Sequence, residues 1–401
     1  MKLQEKISIE EFDGKRFQIR LFEPVQANHK KAVITHYLHN ISNGVSKNYE
    51  KDALRFIAEM VQYKQETNVS FAAEEALQQL LFEVENVPFK TPENYTFKFI
   101  DLFAGIGGFR LAMQNLGGKC VFTSEWDTHA QKTYKANFGE VPFGDITKEE
   151  TKKFIPNDFD ILCAGFPCQA FSIAGKRGGF EDTRGTLFFD VAEIIKRKRP
   201  KAVLLENVRG LTTHDGGKTL QIIISTLEEL GYKMFYQVLN AKDFSVPQDR
   251  KRIYIVGFNE RLFGKDIEFE FPKGTDKFAY ISDYLEENVE GYSISKYLQG
   301  VYIHKKDDGK PQLVDKTSQV QVKTLVSTYH KIQRLTSSFV KDGETGLRLF
   351  SANECKAIMG FDKDFIIPVS RTQMYRQLGN SVAVPVVCAV AGKILDIILK
   401  K

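Results

Sequence analysis

Between residues 97 and 257 the chain alternates compact apolar runs with amphipathic stretches, and few folds accept that alternation. The apolar runs occupy 97–103, 120–124, 160–164, 202–205 and 253–257. Between them, apolar residues recur at helical spacing over 109–116, 130–138, 187–196 and 220–230. Strands buried on both faces read as unbroken apolar runs, and their alternation with helices predicts a parallel sheet covered on both sides. The expected class is α/β, doubly wound. Ligands of such sheets gather at the carboxyl ends of the strands, so the residues found there are the first candidates for function.

The flanks differ in texture. Residues 1–95 carry helical spacing at Leu54, Ile57 and Val61, and again at Leu77, Leu80 and Leu81, before Pro88 and Pro92 favour a linker. This reads as a partly helical extension, more easily a packing element than an independent DNA-binding module, since no helix-turn-helix signature stands out. Residues 96–257 form the expected catalytic domain. From 258 to 347 the periodicity is lost in a polar, tyrosine-rich stretch, read as a small irregular domain. Its charge is uneven: residues 258–300 hold five Lys/Arg against nine Asp/Glu, whereas 301–345 hold eight against five. The second half, with Lys331 and Arg334, is therefore the candidate for contact with an anionic partner. Order returns over 350–359 and in an apolar helix over 382–399, within a C-terminal segment 348–401 expected to return to the catalytic domain.

A chain of 401 residues has ample material for a core. No signal peptide is readable, and no run approaches the roughly 18 apolar residues that span a bilayer. Cys120, Cys163, Cys168, Cys355 and Cys388 show no Cys-x-x-Cys spacing, which argues against a zinc site or disulfide framework and for a reducing cytosol. The net charge of +5 is compatible with nucleic acid without selecting it.

The first strand ends in Asp101-Leu102-Phe103-Ala104-Gly105-Ile106-Gly107-Gly108 and opens a helix. Such glycines let backbone approach a ligand at a helix N-terminus, although a tight turn alone would explain them equally. The next strand ends in Glu125-Trp126, where doubly wound folds place an acid on ribose hydroxyls. Asp145, at a third strand end, would accept from an adenine amino group, and Trp126 would stack on the base. Together these favour a nucleoside cofactor. The absence of a Gly-Lys-Ser/Thr loop disfavours a triphosphate.

Two further strand ends carry Gly165-Phe166-Pro167-Cys168-Gln169 and Glu206-Asn207-Val208. A thiol and a carboxylate so placed suit one reaction: thiolate addition to carbon 6 of a pyrimidine, with an acid at the ring nitrogen, which makes carbon 5 of cytosine nucleophilic. A thiol with an ordinary pKa of about 8.5 is mostly protonated at neutral pH and needs help. Glu206, at the end of an apolar strand, is expected to have a raised pKa. Cys163, within a strand, reads as a structural cysteine.

With these motifs in this order, the chain resembles the DNA (cytosine-5)-methyltransferases over residues 97–399. The matching blocks are 101–108, 124–126, 144–146, 165–172, 206–210, 248–257, 348–361 and 373–385, and segments 120–126 and 182–190 further resemble the bacterial Dcm-like branch. The resemblance implies a Rossmann-like catalytic domain and a small target-recognition domain, with a cleft for double-stranded DNA between them. S-adenosyl-L-methionine would be held by Phe103, Ala104, Gly105, Gly107, Glu125, Trp126, Asp145, Pro167, Asn380 and Ser381, the last of these also suited to cap the final helix. Cys168 would be the nucleophile, Glu206 would hold the cytosine N3 and amino group, and Arg250 and Arg252 would lie near the flipped base and its phosphates. For either arginine, a salt bridge to Asp249 or Glu206 is the competing reading.

The resemblance also makes 170–186 a loop that closes over DNA, with Gln169, Ser172, Lys176, Arg177 and Arg184 among the DNA contacts. Carbon 6 is out of reach inside a duplex, so the base must be extruded. The enamine formed by thiol addition would attack the methylsulfonium carbon; a base then removes the carbon 5 proton, and the thiol leaves. The implied setting is the bacterial cytosol at the nucleoid, with neither metal nor membrane. The enzyme would be an orphan or would act beside a separate cognate restriction endonuclease. A tRNA methylase of the same family is disfavoured by the length of the recognition region, and a non-catalytic regulator by the intact motifs.

Overall fold

The computed structural model describes residues 6–12, 16–22, 29–41, 44–66, 86–167, 187–275, 277–306 and 308–400, with backbone alone over 6–22 and 59–66. An antiparallel pair, β1 (Lys6–Phe12) and β2 (Arg16–Phe22), precedes helices α1 (His29–His39) and α2 (Lys47–Glu66). Strand–helix alternation then runs through β3 (Phe97–Leu102), α3 (Gly108–Asn115), β4 (Gly118–Ser124), α4 (Thr128–Phe138), β5 (Ile161–Ala164), α5 (Leu187–Lys198), β6 (Ala202–Val208) and α6 (Lys218–Glu229). Strands β7 (Tyr232–Asn240), β8 (Gln248–Asp249) and β9 (Lys251–Asn259) follow.

The six-stranded sheet has the order β4-β3-β5-β6-β9-β7. Strands β4, β3, β5 and β6 pair in parallel, whereas β9 runs antiparallel to both β6 and β7. The sheet is therefore mixed, not wholly parallel as the alternation predicts. The cause is the link between β7 and β9: residues 241–250 are too few for the crossover of about a dozen or more residues that a parallel return requires.

Pleating sends alternate residues to two cores. Phe99, Cys120, Cys163, Leu204 and Val256 face one, closed by α3 and the last helix. Ile100, Val121, Leu162, Val203 and Ile255 face the other, closed by α5 and α6. Burial on both faces explains why these strands read as unbroken apolar runs.

The N-terminal helices join the second core through Ala32, Val33, Tyr49 and Ala53. They also cover the sheet edge, where β4 would leave backbone polar groups unpaired. The Tyr49 hydroxyl donates to the Val121 carbonyl at 2.7 Å, and the Thr123 N–H donates to His36 Nε2 at 3.2 Å. These two buried side chains, with the Phe143 backbone that bonds to Thr123 and Glu125, take the place of a further strand on this edge. Behind them Glu140, fully buried, accepts from Arg110 Nη1 at 2.8 Å, and this pair holds its carboxyl below the usual range despite burial.

The region after β9 has little regular structure: β10 (Gln312–Val314) pairs in parallel with β12 (Ser338–Val340), and β11 (Val322–Lys323) pairs in parallel with β8. The chain then returns through α7 (Ala352–Met359), α8 (Arg371–Asn380) and α9 (Val384–Ile398). Residues 371–398 are long and apolar enough, by composition, to cross a membrane. Here their apolarity serves the core: Val386, Val387, Val390 and Ile394 are buried, and Cys388 Sγ lies 3.5 Å from the Ala112 carbonyl of α3. Ser381 does not cap the last helix, as the sequence suggests; it closes α8, and Ala383 occupies the N-cap of α9 without a side-chain hydrogen bond. The 382–399 pattern concealed that junction because both sides of it are apolar.

Candidate active site

A cavity of about 350 Å³ opens at the carboxyl ends of β3, β4, β5 and β6. Its first wall is the turn after β3. Phe103 and Gly105 both have φ of +56°, and Gly107, at φ +92°, caps α3. A Cβ on Gly107 would lie 2.3 Å from the Phe138 ring, so this glycine is required by packing, while the space around Gly105 is open. Gly105 therefore presents bare backbone to the cavity, the arrangement a ligand pressed against the loop needs.

Glu125 fixes that loop from the end of β4. Its Oε2 accepts from the Gly105 N–H at 2.8 Å and its Oε1 from the Asp127 N–H at 2.7 Å. Burial raises the Glu125 pKa, and the two backbone donors oppose the rise. Trp126 stands at the mouth with 75% of its surface exposed, an indole face available for stacking. Asp127 caps α4 through His129 and Ala130 N–H and faces Arg376 Nη2 at 3.5 Å across the opening. Asp145 does not line this cavity; its Oδ1 accepts from the Thr147 N–H at 2.9 Å in a turn.

The second half is built by β5, β6 and β9. Glu206 is buried at the end of β6, and Arg252 Nε sits 3.2 Å from its Oε1. Burial raises the Glu206 pKa, opposed by the guanidinium groups of Arg252 and Arg250. Gly165 keeps the neighbouring strand end small: a Cβ there would sit 3.9 Å from Glu206 Oε2 and 3.4 Å from the Phe109 ring. Asn207 Nδ2 donates to the Phe166 carbonyl at 2.9 Å, tying the turn that ends in Pro167 to the strand carrying the carboxylate. Cys168, Gln169, Ser172, Lys176, Arg177 and Arg184 lie outside the described residues.

Arg250 and Arg252 line the same cavity, but their bonding differs. Arg250 is buried and donates to three carbonyls, Leu325 at 3.0 Å, Gly379 at 3.0 Å and Ser381 at 2.6 Å. Burial, and then the Arg252 cation, lower its pKa to about 9, which leaves it charged at neutral pH. Gln248 holds the same segment: its Oε1 accepts from the Leu325 N–H at 2.6 Å and its Nε2 donates to the Ile358 carbonyl at 2.7 Å. Gly379 completes the joint, since a Cβ there would lie 2.4 Å from the Val326 and Ser327 backbone. The facing wall of the cavity, with Asn380 and Ser381, is thereby registered against residues 325–327.

Arg334 is committed elsewhere. It donates to the Ile303 carbonyl at 3.1 Å and the Lys306 carbonyl at 2.8 Å and pairs with the Asp308 carboxylate, so its guanidinium is held against these neighbours. Lys331 is exposed. The reading from the sequence passed over Asn207, Gln248, Gly379 and Arg376. Asn207 and Gln248 lay in plain view beside motif residues, and for Asn207 a polar residue near the end of an apolar strand was the signal available. Among the described residues no three His, Cys, Asp or Glu side chains gather as a metal site.

A sequence profile of the family described as C-5 cytosine-specific DNA methylase matches residues 97–396. The chain belongs to that family. It is thus a DNA (cytosine-5)-methyltransferase, of a family that uses S-adenosylmethionine as methyl donor. Type II methyltransferase M.MspI of a Moraxella species is 60% identical over 299 residues, covering 74% of this chain and 70% of that protein. Type II methyltransferase M.HpaII of Haemophilus parainfluenzae is 50% identical over 346 residues, covering 80% and 95%. Among solved structures, the Entamoeba histolytica methyltransferase EhMeth superposes with a TM-score of 0.60 at 23% identity, over 75% of this chain and 98% of that one. At that identity the likeness speaks for the methyltransferase fold alone.

Proposed function

We propose that this methyltransferase binds S-adenosylmethionine and an extruded cytosine of double-stranded DNA in the one cavity, and that it serves as the modification enzyme of a type II restriction–modification system. One observation carries the reading: the glycine loop with Glu125 and Trp126, and the Glu206–Arg252 pair, line the same space. The type II setting rests on the similarity to M.MspI and M.HpaII.

The residues suit the cofactor. Open backbone at Gly105, a carboxylate on the glycine loop and an exposed indole would hold a nucleoside, with Asn380 and Ser381 on the facing wall. S-adenosylmethionine, when bound, supplies an electrophilic methyl carbon. Glu206, whose pKa burial raises, would as the acid donate to the cytosine N3 and accept from the amino group, drawing electron density from carbon 6. Arg252 fixes the orientation of that carboxyl. Cys168, directly after the turn anchored by Asn207, adds to carbon 6 as the thiolate.

Two measurements test the reading. In a host without cytosine methylation, base-resolution sequencing is expected to find methylcytosine at one short recurring motif, and none with Cys168→Ala. An unmethylated genome beside soluble protein, with methylcytosine in the tRNA fraction, would overturn it. Glu125→Ala is expected to weaken binding of S-adenosylhomocysteine, measured by calorimetry. The loss of charge-assisted hydrogen bonds worth about 1.5–3 kcal/mol corresponds to about ten- to a hundredfold.

A further inference from the structure

Beside the catalytic cavity lies a second, wider groove of about 960 Å³, which none of the residues assigned above enters. Its floor and near wall are the end of β7, the turn after it and the start of β9; its far wall is residues 270–274. That far wall is fixed in place: the Thr275 N–H donates to the Asp243 carbonyl at 2.7 Å, and a Cβ on Gly274 would lie 2.6 Å from the same oxygen.

The lining is cationic. Arg209, Lys242, Lys251 and Lys273 face it, against Asp243 and Glu270. Lys273 is paired with Glu270 at 3.5 Å, both well exposed. Arg209, Lys242 and Lys251 form no ion pair with any described residue. Set against Asp243, these three cations leave the concavity with an excess of two positive charges, whose mutual repulsion a polyanion would relieve.

Their position says which anion. Arg209 follows Glu206 by three residues at the end of β6, and Lys251 directly precedes Arg252 at the start of β9. Register pairs Val208 with Arg252, so the β6–β9 rim separates the two concavities. Alternation along β9 directs Lys251 and Arg252 to opposite sides of that rim. A strand with one nucleotide in the catalytic cavity would pass its flanking phosphates over the rim.

We propose that this groove binds the phosphodiester backbone of the DNA flanking the target cytosine, adding affinity without reading sequence. The proposal rests on the DNA reading above. Phosphate contacts position a duplex, while base edges specify it.

The test is the salt dependence of duplex binding by Arg209→Ala/Lys242→Ala/Lys251→Ala, with unmethylated plasmid methylation followed in parallel. Each phosphate contact contributes about 0.9 to the slope of log K against log salt. The triple variant is expected to show a slope shallower by about two to three and, near physiological salt, a KM for plasmid raised by about tenfold or more. The loss should appear in KM with kcat retained, and the same sites should be methylated. Lys242→Glu/Lys251→Glu, matched to wild type in melting temperature, should exceed the alanine effect if the protein is folded normally. Parallel salt lines with a wild-type KM in both variants would overturn the groove while leaving the enzyme reading intact. A wild-type enzyme that fails to methylate the plasmid would remove both.

Discussion

Glu206→Gln is expected to lower kcat by about 10² to 10⁴, the range for losing a positioned general acid, while leaving KM for DNA nearly unchanged. An amide in the same place can still donate to N3 and accept from the amino group, so the base is still held. It has no proton to transfer. The pH profile makes the distinction sharper. Burial lifts the Glu206 pKa, so the acid form persists above the ordinary carboxylate range and activity falls as pH rises through the raised value. Glutamine does not titrate, and that limb should vanish. Wild-type stability should fall in the same direction. With the folded pKa above the ordinary 4.5, the unfolded state binds fewer protons between the two values, so wild-type stability declines as pH rises through that window. Glu206→Gln escapes that decline. It should melt above wild type at neutral pH and lose the advantage below about pH 4.5. Melting curves from pH 4 to 8 check this; a variant less stable at every pH would sink it.

Arg250→Ala is the second large effect, and it should be more than catalytic. The Leu325, Gly379 and Ser381 carbonyls would lose their donor in a buried place. At about 1–3 kcal/mol for each unsatisfied group, the loss exceeds about 3 kcal/mol. Both the wall that carries Asn380 and the 325–327 segment should loosen together. Affinity for S-adenosylhomocysteine and affinity for DNA are therefore both expected to fall. Arg250→Lys should recover only part of this, because one ammonium cannot span three carbonyls as a planar guanidinium does. A variant with wild-type melting temperature and both affinities intact, but reduced kcat, would instead mean that Arg250 acts only on the reacting base.

Much of the architecture was legible because the signals were local. A strand buried on both faces shows as an apolar run, and the acids and glycines that end such runs fall where the sheet places its ligands. That logic placed Gly105, Glu125, Trp126, Glu206 and Arg252 around one cavity. It failed where the deciding partner was distant in sequence. Nothing near Arg334 shows that Asp308 and two carbonyls will absorb its charge. The carbonyls that claim Arg250 come from residues 325, 379 and 381, on two segments with no local sign of meeting. Nothing near His36 or Tyr49 shows that they will bond to an edge strand 87 and 72 residues later. Asp145 is a different case, since its carboxylate is taken up locally by the Thr147 N–H two residues on. Alternation likewise cannot tell that β9 runs backwards, since strand direction depends on the length of the link before it.

The cavity has a consequence for the order in which the enzyme is made. The glycine loop, with Gly105, leaves the ribosome long before the facing wall, Arg376 to Val382, and α3 remains uncovered until α9 has been synthesised. A nascent chain lacking those residues has half a nucleoside site and an exposed apolar face. Modification of host DNA therefore cannot begin before α9 has been synthesised, and a message interrupted upstream of it is expected to yield an aggregation-prone fragment, not a partially active methylase.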